Sequence, residues 1–286
     1  MNSPNAVATF RDMTAADVPA GLALCRQAGW NQTEADWTAL LAPPSVFRAA
    51  LVAETIVGTA GAVVYGDRLA WVCMVLVEET HRGHGLASSL MSQVMDRIPA
   101  GLAVGLDATP KGQPVYARLG FEPAAPLLAR LESTGATAPP SNLPEARPVA
   151  AADLARVCAR DRDVFGADRG RVLQSAFANA PRYAWCVEED GRLAAYAFGR
   201  VGHNADHIGP VVADGVHAAL AVVAACVARG TSRPFFLDAP AWPVWREALS
   251  TLGFHEQRPF TRMYRGGIAP RGHPERVFAV CGPELG

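Results

Sequence analysis

The chain has 286 residues, half of them hydrophobic and 19% charged, with a formal net charge of −1. This balance excludes a disordered chain, a strongly basic nucleic-acid binder and a polybasic membrane-surface protein, so any anion site has to be local. The length suits two domains, and no apolar run reaches the ~18 residues of a membrane span.

The N-terminal MNSPNAVATF has no basic region followed by an apolar core, so no secretory signal is expected. TFRDMTAADVPAGLALCRQAG (9–29) predicts a short extended segment, an acid at a helix start and an amphipathic helix. Trp30 and Asn31 follow directly. AALVAETIVGTAGAVVYGDRLAWVCMVLV (49–77) predicts hairpin-like strands, of which 69–77, an unbroken apolar run, is a buried one. Residues 78–84 then form a turn, and 86–98, with apolar residues at 86, 90, 94, 95 and 98, has helical spacing. GLDATPKGQPVYARLGFEP (105–123) predicts strand, proline turn and helix, ending in Leu-Gly-Phe.

From there the order repeats. EARPVAAADLARVCARDRDVFG (145–166) overlays 9–29, with Arg147 on Arg11 and Asp153 on Asp17 at one constant offset. FLDAPAWPVWREALSTLGFHEQ (236–257) echoes 105–123, again with Leu-Asp-Ala and Leu-Gly-Phe. A hairpin at 183–201 turns on Asp190-Gly191. Duplication is the economical reading: two α+β domains, at 1–132 and 147–286, joined by a Pro/Ser/Thr/Ala-rich linker at 133–146. The six cysteines are scattered without a C-x-x-C, as expected of free thiols in a reducing cytoplasm. His203 and His207 do not read as a zinc pair, and no metal is expected.

HRGHGLASSL (81–90) sets two glycines and three basic side chains before a helix. Gly83 and Gly85 let backbone N–H groups converge, and the helix start adds its own, which makes a phosphate cradle. The spelling lacks the lysine of a Walker A loop. It also has Ser88 where a dinucleotide fingerprint needs its third glycine, which weighs against an oxidoreductase. It satisfies R-x-x-G-x-A through Arg82, Gly85 and Ala87.

VLVEETHRGHGLASSLM and TPKGQPVYARLGF together resemble the GNAT superfamily of acyl-CoA-dependent N-acyltransferases, over residues 8–131. The resemblance implies two tandem GNAT-like domains, each a mixed, mainly antiparallel sheet flanked by helices, with acetyl-CoA as co-substrate. WNQT, FTRMYRG and CGPELG are similar to segments of a two-domain branch. The second half keeps the frame, but HIGPVVADGVHAALAVVAAC (207–226) lacks the loop and Trp242 and Trp245 crowd the counterpart of Tyr116, so a degenerate domain is expected there.

By position, the resemblance implies that backbone groups of Val75 and Val77 meet the pantetheine and acyl oxygen. Arg82, Gly83, His84, Gly85, Leu86, Ala87 and Ser88 take the pyrophosphate. Thr109, where the family usually has Asn, and Tyr116 complete the coenzyme site. Tyr116 is the candidate general acid: a phenol near pKa 10 and a thiol near 8.5 are close enough for proton transfer. Candidates for the base are Asp107, Glu79 and its neighbour Glu78, with a water chain as rival. The acceptor implied is a primary amine of a small molecule or a protein; Trp30 and Asn31 are expected beside it, and Arg262 on an edge strand. A non-catalytic acyl-CoA sensor is the alternative function. The acceptor's identity and the oligomeric state stay open.

Overall fold

The computed structural model describes residues 8–134, 140–230 and 232–286; the middle of the expected linker, 135–139, lies outside them. The chain divides into two compact units, with the boundary between Val104 and Gly105.

The first unit runs through β1 (Thr9–Asp12), α1 (Val18–Gln27), α2 (Glu34–Leu41), β2 (Ser45–Val52), β3 (Thr55–Tyr65), β4 (Leu69–Val77) and α3 (Leu86–Met95), and ends at the start of β5 (Ala103–Ala108). Its first four strands form an antiparallel meander. The unbroken apolar run of β4 is explained by burial on both faces: Leu69, Trp71 and Met74 are each at most 1% exposed. α3 turns Leu90, Met91 and Val94 inward, the i, i+4 stripe of its sequence. α2 starts at a reciprocal cap, in which Asp36 N–H donates to Thr33 Oγ1 and Thr33 N–H donates to Asp36.

The second unit takes the rest of β5, then α4 (Gln113–Arg118), β6 (Phe121–Pro123), β7 (Leu128–Ser133), β8 (Ala146–Pro148), α5 (Leu154–Phe165) and α6 (Gly170–Asn179). These are followed by β9 (Trp185–Glu189), β10 (Arg192–Arg200), β11 (Asp206–Ala213), α7 (Val216–Ala228), β12 (Phe235–Pro240), α8 (Pro243–Ser250), β13 (His255–Arg265) and β14 (Val277–Ala279). Its strand order is β5-β13-β7-β12-β11-β10-β9-β8, with β6 added to β13 and β14 to β11. Among its described pairs only β11–β12 is parallel.

The unit boundary departs from the expected linker because the two repeats exchange strands. β7 follows the first Leu-Gly-Phe and β13 the second, so a self-contained repeat would set β7 beside β5 and β13 beside β12. Instead β13 pairs with β5 and β7 pairs with β12. The long β13 bridges both, its first part lying on β7 and its second between β5 and β6. Each Leu-Asp-Ala aspartate therefore meets an arginine of the other repeat. Asp107 receives both Nε and Nη2 of Arg262, at 2.9 and 2.8 Å. Asp238 receives both Nε and Nη2 of Arg130, at 2.8 Å each, and His207 Nε2 at 3.1 Å. Arg262 is thus a paired central-strand residue with a side chain 14% exposed, not a solvated edge residue as expected.

The aligned Arg and Asp residues of the two repeat starts are bidentate ion pairs in both copies: Arg11–Asp17 at 2.7 and 2.8 Å, Arg147–Asp153 at 2.7 and 3.0 Å. Hydrogen bonds from Arg11 hold the Asp17 carboxyl at about 2, assisted by Thr14 and opposed by burial. A carboxyl depressed in the folded state stabilises above its unfolded value of 3.8 and loses that contribution as pH falls toward 2. That depression corresponds to about 2 kcal/mol, reduced to roughly 1–2 because Arg11 is half exposed. Asp17→Asn should cost that much in urea unfolding at pH 7, and the difference should vanish near pH 2.

Candidate active site

β4 is not a regular strand. Thr59 of β3 faces Leu76 and Gly61 faces Cys73, so Met74 and Val75 together oppose Ala60 in a bulge. Met74 has φ +52°, a left-handed conformation rare for a non-glycine residue, and its carbonyl accepts from the buried Thr59 hydroxyl at 2.8 Å. The bulge leaves one residue of β4 outside the ladder and twists the strand just before its end. Val75 and Val77 lie on its half-open side, alternating with buried Leu76.

Arg82 Nε donates to the Val77 carbonyl at 3.0 Å, tying the loop to the end of the strand. That carbonyl, expected to face the pantetheine, is therefore engaged within the chain. Gly83 and Gly85 adopt φ +82° and +79°, and apart from their chain neighbours nothing lies within 4 Å of the position a Cβ would take at either. Gly85 is the N-cap of α3, and no side chain caps the helix. The first-turn N–H groups of Leu86, Ala87 and Ser88 consequently lack intrahelical acceptors. His84 is exposed beside them, its ring 3.4 Å from the His81 carbonyl. Left-handed glycines, open space above them, free N–H groups and an exposed guanidinium fit a diphosphate.

Glu78 bonds through its side chain to His81 at 2.7 Å. Glu79 has an 83% exposed side chain that lies 3.7 Å from Arg82. Trp30 is half buried and Asn31 is 2% exposed. Next to them Gln32, which the sequence reading passed over, is 5% exposed with Oε1 lacking a hydrogen-bond partner.

In the second unit, Thr109 opens the turn into α4: Gly112 N–H reaches its carbonyl at 2.9 Å and its hydroxyl at 3.3 Å. The threonine thus supplies the turn acceptor that an asparagine side chain could also provide. Tyr116 stands edge-on to Phe121, ring centroids 6.2 Å apart. A Cβ on Gly112 would come within 2.9 Å of the Tyr116 ring, so this glycine, four residues earlier, leaves room for it. Asp107 is held differently from a free base. Its side chain is 1% exposed and both its oxygens accept from Arg262. Burial pushes its carboxyl up against the pull of that guanidinium.

The second repeat's counterpart of the cradle is shorter. Only 214–215 separate β11 from α7, where 78–85 separate β4 from α3. Asp214 puts a carboxylate at that turn, 2.7 Å from Arg160 and 3.6 Å from Arg276. β11 and β12 pair only at Asp206–His207, and β14 enters beside them. It pairs with β11, while Val280 N–H donates to the Asp238 carbonyl of β12 at 2.9 Å. Trp242 and Trp245 both meet the Phe278 ring edge-on, and Trp245 Nε1 donates to the Phe278 carbonyl at 2.8 Å. Among the described residues no cluster of three metal-ligating side chains occurs, and no helix is long and apolar enough to cross a membrane.

A bulged strand, a glycine turn and an uncapped helix in one repeat, and the same frame with a two-residue turn in the other, define a tandem acyltransferase. The chain belongs to the GNAT family. Residues 14–121 match the Acetyltransferase (GNAT) family model and 157–279 match an Acetyltransferase (GNAT) domain model. An uncharacterized N-acetyltransferase of Bacillus subtilis (strain 168), YitH, is 25% identical over 271 residues, covering 93% of this chain and 94% of that one. The fold is shared with a provisionally named acetyltransferase of Pyrococcus horikoshii, at TM-score 0.80 and 16% identity over 100% of this chain and 99% of that one. It is shared also with a tandem GNAT protein from the clavulanic acid biosynthesis pathway, at TM-score 0.60 and 14% identity over 90% and 98%.

Proposed function

We propose that this acyltransferase uses acetyl-CoA to acetylate a primary amine of a small molecule by direct attack in a ternary complex. The observation that carries the reading is the turn 78–85, whose left-handed glycines, uncapped helix start and exposed Arg82 suit a diphosphate. When bound, acetyl-CoA supplies the acetyl group as a thioester: the amine nitrogen bonds to the carbonyl carbon, the carbon–sulfur bond breaks, the nitrogen loses a proton and coenzyme A leaves as its thiol.

The chain's own residues hold the reactants and move the protons. The N–H groups of Gly83, His84, Gly85, Leu86, Ala87 and Ser88 bind the diphosphate, and Arg82 fixes the end of β4 through Val77. The bulge opens β4 at Val75, whose backbone groups meet the pantetheine and the acyl oxygen. Thr109 shapes the turn that presents Tyr116, and Tyr116 protonates the departing sulfur. Asp107 is committed to Arg262, so the ammonium proton leaves to water, with exposed Glu79 as its acceptor. Trp30 and Asn31 border the acceptor. The second repeat holds no coenzyme in this reading, because its turn is two residues long without a glycine pair and β14 pairs with β11 beside β12. Six free cysteines suit a reducing cytoplasm.

Purified protein should release free thiol from acetyl-CoA when a suitable amine is added. Tyr116→Phe should lower kcat by about 100-fold, the usual scale for losing a general acid, and leave the KM for acetyl-CoA within about twofold. Coenzyme binding without thiol release across an amine panel would favour the sensor instead.

A further inference from the structure

α4, which carries Tyr116, is six residues long and buries none of them. Isolated helices shorter than about 12 residues are marginal, and without a buried face α4 has no core stripe to fix its rotation. Its counterpart α8 is held differently: Trp245 and Leu249 are buried, and the Trp245 indole donates to the Phe278 carbonyl. The anchors of α4 stand at its two ends, and both belong to β13, a strand of the other repeat.

Before the helix, Thr261 and Arg262 lie opposite Ala108 and Asp107, the last two residues of β5. The Arg262 guanidinium donates to both Asp107 oxygens. A planar fork on a carboxylate fixes direction as well as distance. Two residues after Asp107, the Thr109 carbonyl accepts from Gly112 and Gln113 N–H at 2.9 and 3.0 Å, and the Gly112 carbonyl accepts from Tyr116 N–H at 3.2 Å. After the helix, Gly266 N–H donates to the Gly120 carbonyl at 2.8 Å, and Arg265 and Tyr264 lie opposite Phe121 and Glu122. Phe121 is 2% exposed, and it is the ring that stands edge-on to Tyr116. Arg262 serves both ends, because its own carbonyl accepts from Ala124 N–H at 2.9 Å, just past β6. The segment FTRMYRG (260–266), which the coenzyme site leaves unused, thus spans the two ends of α4.

We propose that Arg262 is a positioning residue for the proton transfer: by holding Asp107 it sets the turn from which α4 starts, and with the rest of 260–266 it fixes where the Tyr116 hydroxyl stands. The inference rests on the acetyltransferase reading for the role of Tyr116. A general acid has to lie within hydrogen-bond reach of the atom it protonates, and a displacement of about 1 Å costs up to about 100-fold in rate. Arg262→Lys keeps the charge and loses the fork. It should lower kcat by about tenfold and leave the KM for acetyl-CoA within about twofold. In a Tyr116→Phe background it should change neither, since residues acting through one group are not additive. Phe121→Leu, which releases the Tyr116 ring from the other end, should behave in the same way. Tyr116→3-fluorotyrosine reads the clamp without turnover: its fluorine resonance should move toward that of the free amino acid when Arg262→Lys is added. Equal rate losses with and without the Tyr116 hydroxyl overturn the positioning role and leave the acid reading standing. An unmoved resonance overturns the clamp. Full activity of Tyr116→Phe alone refutes the acid and with it the role of Arg262, and a resonance that nevertheless moves places that failure in the reaction and not in the clamp.

Discussion

Replacing Gly85 by valine is expected to weaken acetyl-CoA binding by about 100-fold, or about 2.7 kcal/mol, while lowering the melting temperature by only about 5 °C. Gly85 holds φ +79° at the N-cap of α3. An L-residue there costs about 1–2 kcal/mol in backbone strain, and a β-branched one sits at the upper end. Packing adds little to that cost, since apart from its chain neighbours nothing lies within 4 Å of the new Cβ. The affinity loss is larger because the side chain would stand in the open space above the converging N–H groups, where a diphosphate has to approach the backbone closely. Calorimetric titration with acetyl-CoA and a thermal melt separate the two effects. Asp214→Ala, at the equivalent turn of the second repeat, serves as control: it should leave the affinity unchanged, because that repeat's cleft is occupied by β14. An unaltered affinity in Gly85→Val would remove the turn from the coenzyme site.

The turn was legible because its chemistry is local. Two glycines and a cation before a helical stripe are visible within ten residues, and 69–77 is a strand in the structure as its apolar run predicts. The duplication was legible for the same reason: Arg11–Asp17 and Arg147–Asp153 are each six residues apart and make the same ion pair. What the sequence hid depends on distant partners. Nothing in MVL marks Met74 as a bulge residue, since the left-handed backbone there is sustained by β3 and the Thr59 hydroxyl rather than by a glycine. Asp107 read as a possible base because its partner, Arg262, lies 155 residues away. Strand exchange itself has no local signature, because each Leu-Gly-Phe is followed by a strand that would suit either neighbour. One signal was available: an aspartate in each Leu-Asp-Ala and an arginine in each following strand, a charge pair that burial requires to meet.

That crossed pairing makes the second large prediction. Asp238→Asn should destabilise the protein by about 3–5 kcal/mol, lowering the melting temperature by roughly 10 °C. The side chains of Asp238 and Arg130 are 1% and 6% exposed, and the Arg130 guanidinium lies over the faces of Phe236 and Phe260, 4.9 and 5.4 Å from their centroids. Asparagine would keep the shape but leave a buried guanidinium without its counter-charge and His207 without its carboxylate. Burial pushes the Asp238 carboxyl up, yet Arg130 and His207 together pull it well below the ordinary carboxylate value. A depressed folded-state pKa means the contribution is complete above about pH 4 and is lost only as pH falls below that. The gap between wild type and Asp238→Asn should therefore narrow as pH falls below about 4. Removing both charges tests the mechanism: Arg130→Met with Asp238→Leu should recover much of the loss, since an apolar pair needs no compensation. If the double variant were as unstable as the sum of its single changes, the cost would lie in packing at the exchanged strands and not in the uncompensated charge.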